Sequence, residues 1–454
     1  MVNQIVKVTD YAIIQRDENN EAKVYFSGKI PSWVSEENAL WARVYTEDEN
    51  LEIIAPILCN RKESEWDIEL TLPAGGLYTF EVRVTGTVKD DPNDGGRIAI
   101  VRHFGVGDLY IMTGQSNMAG YGRDAVSDPA TIGVHLFKNN GKWDIASHPL
   151  NDSIDTLYPE NREDGNVTSP ALSFARYLKD KLNLPIGLIA ASLGGSPLRA
   201  WHPEEEASLY RGMMRRIPTV GNVKGILWYQ GCSDANEQDS VTYYDRFKRM
   251  IELYRKELGN IEVITVQLNR WAGNRNPDEN ERIKNDRYWG IVRDAQRRLA
   301  LDMEKVYIVP CHDLPLSDGI HNASSANLIM GQRMAMVALK YIYNMPHLGQ
   351  SAPIPRSAKY GDETHLYLNC DKGMRLYTLD ARADGIHVED ETGLIPCKNS
   401  WGHGDKIYIE TERPYKLPAK VHVYWQAEIP SFITRDRTGQ PLLACYGMEI
   451  EKKN

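Results

Sequence analysis

The stretch Asp108-Leu109-Tyr110-Ile111-Met112-Thr113-Gly114-Gln115-Ser116-Asn117-Met118-Ala119-Gly120 decides how the chain is read. A short apolar run enters a Gly-Gln-Ser-Asn turn, the setting a nucleophilic serine needs, with Oγ at the C-terminal end of a strand beside free backbone N–H groups. A serine in a glycine-flanked turn is also an ordinary turn former. Ser116 therefore acquires chemical meaning only if a base and an oxyanion hole stand near it.

Outward from that turn the period is that of alternating strands and helices. After residue 105, apolar runs at Leu109–Met112, Val134–Phe137, Ile186–Ala190, Ile226–Tyr229, Val263–Val266 and Val306–Val309 alternate with long amphipathic stretches. This is the pattern of a parallel sheet covered by helices on both faces. Helices are expected over Pro170–Leu182, opened by a capping Ser169, and over Tyr243–Leu258, closed by Gly259; Tyr288–Leu301 and Asn327–Tyr343 follow. In doubly wound sheets ligands sit beyond the carboxyl ends of the strands, and Ser116 lies at one of them.

On either side the pattern is β. Lys23–Gly28, Trp41–Tyr45, Trp66–Leu72 and Tyr78–Val84 read as strands, and the last two alternate strictly about the turn Pro73-Ala74-Gly75-Gly76. Lys89–Gly96 consists of turn residues, and Arg97–Phe104 is a last strand or a linker. From Pro353 onward the strands are His365–Leu368, Met374–Leu379, Lys406–Glu410 and Val421–Trp425. The expected organisation is a doubly wound, flavodoxin-like α/β domain over residues 105–348, flanked by a β-sandwich at 1–104 and a second at 349–454.

Composition bounds the function. With 454 residues, 42% hydrophobic and 25% charged, the chain is globular and longer than one core sustains. No segment approaches the roughly eighteen consecutive apolar residues of a membrane span. Met1–Lys7 carries no leader pattern, so the expected location is cytoplasmic, or periplasmic or secreted if a leader has been removed. Six cysteines without Cys-x-x-Cys spacing suggest free thiols, and neither a zinc site nor a disulfide framework. A formal charge of −9 without a long Lys/Arg run argues against a nucleic-acid partner. The 24 Tyr and 10 Trp against 7 Phe supply rings with a polar handle, which suit sugars and suit exposed sheet positions equally.

Three further stretches fall in loops of the α/β region. Ala191-Ser192-Leu193-Gly194-Gly195-Ser196-Pro197 follows a strand directly, and paired glycines let a backbone N–H approach a ligand closely. No Gly-Lys-Ser/Thr follows, which argues against a phosphate loop. Trp228-Tyr229-Gln230-Gly231-Cys232-Ser233-Asp234 ends its strand at the same rim, where Gln230 could equally be a loop-closing amide. Asp318-Gly319-Ile320-His321 stands before the last helix. A carboxylate three residues before a histidine in a tight loop can hold Nδ1–H and leave Nε2 pointing outward as a base.

Taken together these motifs resemble the SGNH/GDSL-type hydrolases, and within them the sialate O-acetylesterase and acetylxylan-esterase-like carbohydrate esterases. The resemblance rests on Gly114-Gln115-Ser116-Asn117-Met118, Gly194-Gly195-Ser196-Pro197 with Ala200-Trp201, Trp228-Tyr229-Gln230-Gly231, and Asp318-Gly319-Ile320-His321 followed by Gly331-Gln332-Arg333-Met334-Ala335. It implies a serine esterase that removes O-acetyl groups from a carbohydrate, sialic acid or a plant polysaccharide such as xylan, through an acyl-enzyme. Ser116 is then the nucleophile, His321 the base and Asp318 its orienting acid. The Ser116 amide, an amide of Gly194 or Gly195 and the Gln230 side chain form the oxyanion hole, and neither metal nor organic cofactor is needed.

Many of these relatives carry Glu where this chain has Cys232, which leaves Asp318 to orient His321 alone. Cys232 is then either a space-filling residue or a reactive thiol, and Asp234 either a cap or a substrate contact. Arg199, Trp201, His202, Arg270 and Trp271 are candidate sugar contacts, a Trp by stacking and an Arg by pairing with a sialic acid carboxylate. Two other functions fit the sequence: an esterase or lipase acting on other acyl esters, and a carbohydrate-binding protein on an inactive hydrolase scaffold. Oligomeric state has no signature in the chain.

Overall fold

The computed structural model describes residues 6–85, 95–371, 373–378, 382–429 and 433–452. The opening Met1–Ile5, the turn residues expected at Lys89–Asp94 and the strand-end residue Leu379 lie outside the described residues.

Six parallel strands build the central sheet: β1 (Arg97–Gly114), β2 (Val134–Phe137), β3 (Ile186–Ala190), β4 (Gly225–Tyr229), β5 (Glu262–Val266) and β6 (Val306–Val309). Their order is β2-β3-β1-β4-β5-β6. β2 to β5 are buried at every position, which is why they read as continuous apolar runs. Helices α1 (Pro170–Leu182) and α4 (Ser324–Tyr341) cover one face, packing Phe174, Leu178, Met330 and Met334 against Tyr110 and Met112 of β1. Helices α2 (Tyr243–Leu258) and α3 (Glu279–Asp302) cover the other, with Phe247, Ile251 and Val292 in the core that holds Leu109 and Ile111. Alternate residues of β1 thus serve opposite cores.

Apart from short β2, the order β3-β1-β4-β5-β6 is flavodoxin-like: the chain leaves β1 towards opposite sides of the sheet. The crevice at the carboxyl end of β1 is the topological switch point. Ser169 caps α1 as expected, accepting the Ala171 N–H at 3.3 Å. α3 starts at Glu279, well before the expected Tyr288, because Asp278 caps a charged first turn that has no apolar periodicity to betray it.

Two sheets face each other in the first hundred residues. One contains Glu21–Lys29 and Glu65–Pro73; the other contains Leu40–Thr46, Gly75–Val84 and the first half of β1. Phe26 stacks on Phe80 between them at a centroid distance of 3.7 Å. The second sheet is not separate from the central one, because β1 runs through both.

The C-terminal region corrects the sequence-based expectation. Its strands do not form a two-sheet sandwich but close into a seven-stranded barrel, with Ser357–Tyr360 pairing parallel to Cys445–Glu451. Alternation within a strand is the same for both architectures; closure depends on which strands pair, and on the long strand Gly393–His403 bending at a bulge between Cys397 and Asn399. Arg293 of α3 locks the barrel to the sheet, donating to the carbonyls of Leu268 at 2.8 Å and Tyr424 at 2.9 Å and also to those of Asn269 and Gln426. Burial pushes this guanidinium down to about 9, against the smaller opposing pull of Asp286. All six cysteines are unpaired, and among the described residues no helix is long and apolar enough to cross a membrane.

Candidate active site

β1 ends at Gly114, whose φ of +117° and whose approach to Tyr229 exclude a side chain: a Cβ there would lie 2.2 Å from the Tyr229 carbonyl oxygen. The chain turns at once into a single helical turn, Ser116–Ala119. Ser116 is the first residue of that turn, so its amide has no intrahelical acceptor.

Ser116 Oγ lies 2.9 Å from His321 Nε2, and His321 Nδ1 lies 2.7 Å from Asp318 Oδ2. The second oxygen of Asp318 accepts the amides of Ile320 and His321, each at 2.8 Å, so one carboxylate shapes the loop and orients the ring. Burial opposes ionisation of Asp318, but these hydrogen bonds outweigh it and hold the carboxyl below its usual range. The Tyr121 ring stacks on the imidazole at 4.8 Å. The spacing of Asp318 and His321 made this geometry legible, because both residues belong to one tight loop.

The loop itself is fixed by asparagines that the sequence reading did not single out. Asn117 accepts the Asn322 amide at 2.9 Å and donates to the Ile320 carbonyl at 3.3 Å. Asn269, beyond the end of β5, donates to the same carbonyl at 2.6 Å and to Asn322 Oδ1 at 3.2 Å. Their only signal was position: Asn117 follows Ser116 and Asn322 follows His321.

The double-glycine loop lies beside the serine turn, with the Leu193 N–H donating to the Gly114 carbonyl at 3.0 Å. Its two glycines differ. The Gly194 N–H is taken by Glu163 Oε2 at 2.6 Å, while Gly195, at φ +64° with open space where a Cβ would go, has an amide with no acceptor among the described residues. Glu163 also accepts from Asn151 and Asn166, each at 2.9 Å, and from the Tyr121 hydroxyl at 3.4 Å. A carboxylate is thus built into the wall of the site, contributed by a loop that carries no motif.

Gln230 is not brought to the site as an oxyanion donor. It is fully buried, its amide nitrogen donates to the Ser196 carbonyl and to Asp234, and its oxygen accepts from the Tyr243 hydroxyl at 2.9 Å. Asp234 is likewise buried and accepts the Leu198 N–H at 2.9 Å, so it caps the short helix Leu198–Trp201 rather than meeting substrate. Burial pushes its carboxyl up to about 6. Cys232 packs among apolar neighbours near Asn269, and desolvation pushes its thiol up to about 12, which favours the space-filling reading over the reactive one.

Three of the candidate sugar contacts are used elsewhere. Trp201 is buried, donates to Ser196 Oγ at 3.0 Å and packs edge-on to Trp228. His202 is buried and accepts the Glu204 amide. Arg270 is spent on the Leu314 carbonyl and on Glu428. Arg199 is exposed and 3.4 Å from Glu206. Trp271 stacks on Trp289, and its loop comes near the Asp318–His321 loop where a Cβ on Gly319 would lie 3.6 Å from the Gly273 amide nitrogen. Among the described residues no group of three or more His, Cys, Asp or Glu side chains is placed to hold a metal ion.

A model of the carbohydrate esterase, sialic acid-specific acetylesterase family matches residues 106–340, more than half of the chain. The chain belongs to that family. The matched region runs from the middle of β1 to the end of α4 and contains the Ser116, His321 and Asp318 loops. A probable carbohydrate esterase of Arabidopsis thaliana is 28% identical over 259 residues, covering 51% of this chain and 90% of the relative. Human sialate O-acetylesterase is 31% identical over 106 residues, 18% of this chain and 20% of that protein. The crystal structure of a carbohydrate acetylesterase from Xanthomonas citri superposes on 97% of this chain and 98% of its own, with a TM-score of 0.68 at 22% identity, a likeness of fold.

Proposed function

We propose that this family member is a serine O-acetylesterase acting through an acyl-enzyme. The observation that carries the reading is the relay from Ser116 Oγ through His321 to Asp318, with contacts of 2.9 and 2.7 Å. Ser116 Oγ attacks the acetyl carbonyl carbon as His321 Nε2 takes its proton. The tetrahedral oxyanion is held by the free amides of Ser116 and Gly195, which replace the Gln230 amide in that role. The bond to the sugar oxygen then breaks, and His321 returns the proton to that oxygen. Water, deprotonated by the same imidazole, attacks the acetyl-serine and releases acetate.

The substrate we infer is an acetylated neutral sugar, such as a xylan residue, rather than sialic acid. Glu163, its oxygens already taken by Gly194, Tyr121, Asn151 and Asn166, puts a carboxylate in the wall that would repel a sialic acid carboxylate. Of the two cations considered for that carboxylate, Arg270 is paired with Glu428 and Arg199 lies 3.4 Å from Glu206. The same polar wall disfavours a long acyl chain.

Acetate release from acetylated xylan, O-acetylated sialic acid and a chromogenic acetyl ester, beside the ester with a longer acyl chain, tests both statements. Release from xylan that vanishes in Ser116→Ala is expected. Release that survives Ser116→Ala would overturn the mechanism; preference for sialic acid or the longer ester would overturn the substrate; no release at all would favour the inactive binding scaffold.

A further inference from the structure

We propose that the outer wall of the C-terminal barrel is a second glycan site, a rank of aromatic rings that anchors an extended β-linked polysaccharide away from Ser116. The rank runs across three neighbouring antiparallel strands. Tyr367 pairs with Tyr408 and Tyr408 pairs with Trp401, with successive ring centroids 6.0 and 5.6 Å apart. Leu366, Leu368, Ile407, Ile409 and Ser400 alternate with these residues and are buried inside the barrel, so the rings point outward; Trp401 is 42% exposed.

Side chains that bind hydroxyls border the rank on both sides. On one side Glu410 is paired in register with Asn399, and on the other Lys406 with Asn369. The Lys406 ammonium sits over the Tyr367 ring at 4.9 Å. Exposed apolar surface rimmed by polar groups marks a binding face. Rings flanked by amides and charges match a pyranose, which is apolar on its C–H faces and hydroxylated around its edge. Cross-strand aromatic pairs also stabilise sheets, but that role does not call for a bordered row whose last ring, Trp401, stays 42% exposed while Tyr367 and Tyr408 are half-buried.

At one edge the rank is bordered by the chain itself, with Leu376 and Tyr377 against Gly402 and Arg382 bridged to Asn399. The barrel leans on α3 through the strand Cys445–Glu451, where a Cβ on Gly290 would meet Tyr446 and Trp425. In the closed ring of seven strands Lys406–Thr411, which carries Tyr408, stands opposite that strand. The occupant we assign, from the fit of Trp401 and its polar borders to a pyranose, is the polymer that bears the acetyl groups; this assignment rests on the esterase reading above. An anchored chain presents its acetyl groups to Ser116 at a raised effective concentration.

The test uses the full chain with Ser116→Ala, so that binding is measured without turnover, in native gels cast with soluble deacetylated β-1,4-xylan. Retardation of the parent is expected, with affinity weaker by about tenfold or more in Trp401→Ala/Tyr408→Ala, the loss of roughly one well-placed ring contact. With Ser116 restored, the double variant should keep the parent's rate on a small chromogenic acetyl ester and its melting temperature, while KM on acetylated xylan rises and kcat holds. Equal retardation of parent and variant, or no retardation of the parent, would overturn the proposal. A parent dimer that the double variant dissolves would overturn it too, making the rank a self-interface. Binding of xylan without acetate release would instead sink the esterase reading alone.

Discussion

Asn117 accepts the backbone amide of Asn322 at 2.9 Å, so the residue after Ser116 fixes the residue after His321. The separation of Ser116 from His321 is therefore set by a side chain of the serine turn itself. Asn117→Ala is expected to lower kcat by about 10- to 100-fold through loosened alignment, with KM on a small acetyl ester nearly unchanged. Steady-state kinetics check this, and a change confined to KM would contradict it.

Asp318 is ionised across the neutral range because the His321 ring and two amides hold its carboxyl low. Asp318→Asn leaves the ring in place but presents the wrong partner to Nδ1, and kcat should fall by roughly 10³ to 10⁴. A loss under tenfold would mean that another carboxylate orients the imidazole.

Gln230 separates the oxyanion role from the structural one. Gln230→Ala strands the buried Ser196 carbonyl, Asp234 and the Tyr243 hydroxyl, and should cost about 1–3 kcal/mol of stability for each group left unpaired. The kcat of the folded fraction should stay within about threefold, whereas losing an oxyanion donor costs roughly 10²- to 10³-fold. Thermal melts and initial rates on one preparation decide between these outcomes.

Cys232, its thiol pushed up to about 12, should resist alkylation at pH 8 in the folded protein. Activity is expected to survive iodoacetamide, and Cys232→Ser to retain most of the rate. Rapid inactivation matched by labelling of Cys232 would show a reactive thiol.

Asp313 joins α4 to the C-terminal region: it meets Arg333 at 2.7 and 2.8 Å and Arg435 at 2.8 Å. Burial opposes ionisation, yet the two guanidiniums hold the carboxyl far below its usual range. A depressed folded-state value means that the stabilisation is complete above the unfolded carboxylate value near 3.9 and is lost as pH falls through the folded one. Asp313→Asn should cost about 3–5 kcal/mol at neutral pH, and its melting temperature should fall less than the parent's on acidification below pH 4.

What the sequence made legible was local. The strands were readable because full burial leaves unbroken apolar runs, α1 because Ser169 and Pro170 mark its start, and Asp318 with His321 because one loop carries both. Gln230 and Trp201 misled because an amide or an indole at a strand end serves a buried network as well as a ligand, and only distant partners such as Tyr243 and Trp228 decide which. Glu163 was invisible for the same reason, since its meaning comes from a glycine thirty-one residues later. Barrel closure is a matter of pairing between Ser357–Tyr360 and Cys445–Glu451, far apart along the chain.

Strand β1 has one more consequence. Its first half completes the N-terminal sheet beside Gly75–Val84, and its second half runs between β3 and β4 to the serine. A tug at one end is felt at the other through a single extended backbone, so the N-terminal region is no bead on a string to be swapped or clipped away. The protein should melt in one calorimetric step for these two parts, and a chain begun after Phe104 would keep the half of the strand that leads to Ser116 but lose the half that ties it to Gly75–Val84.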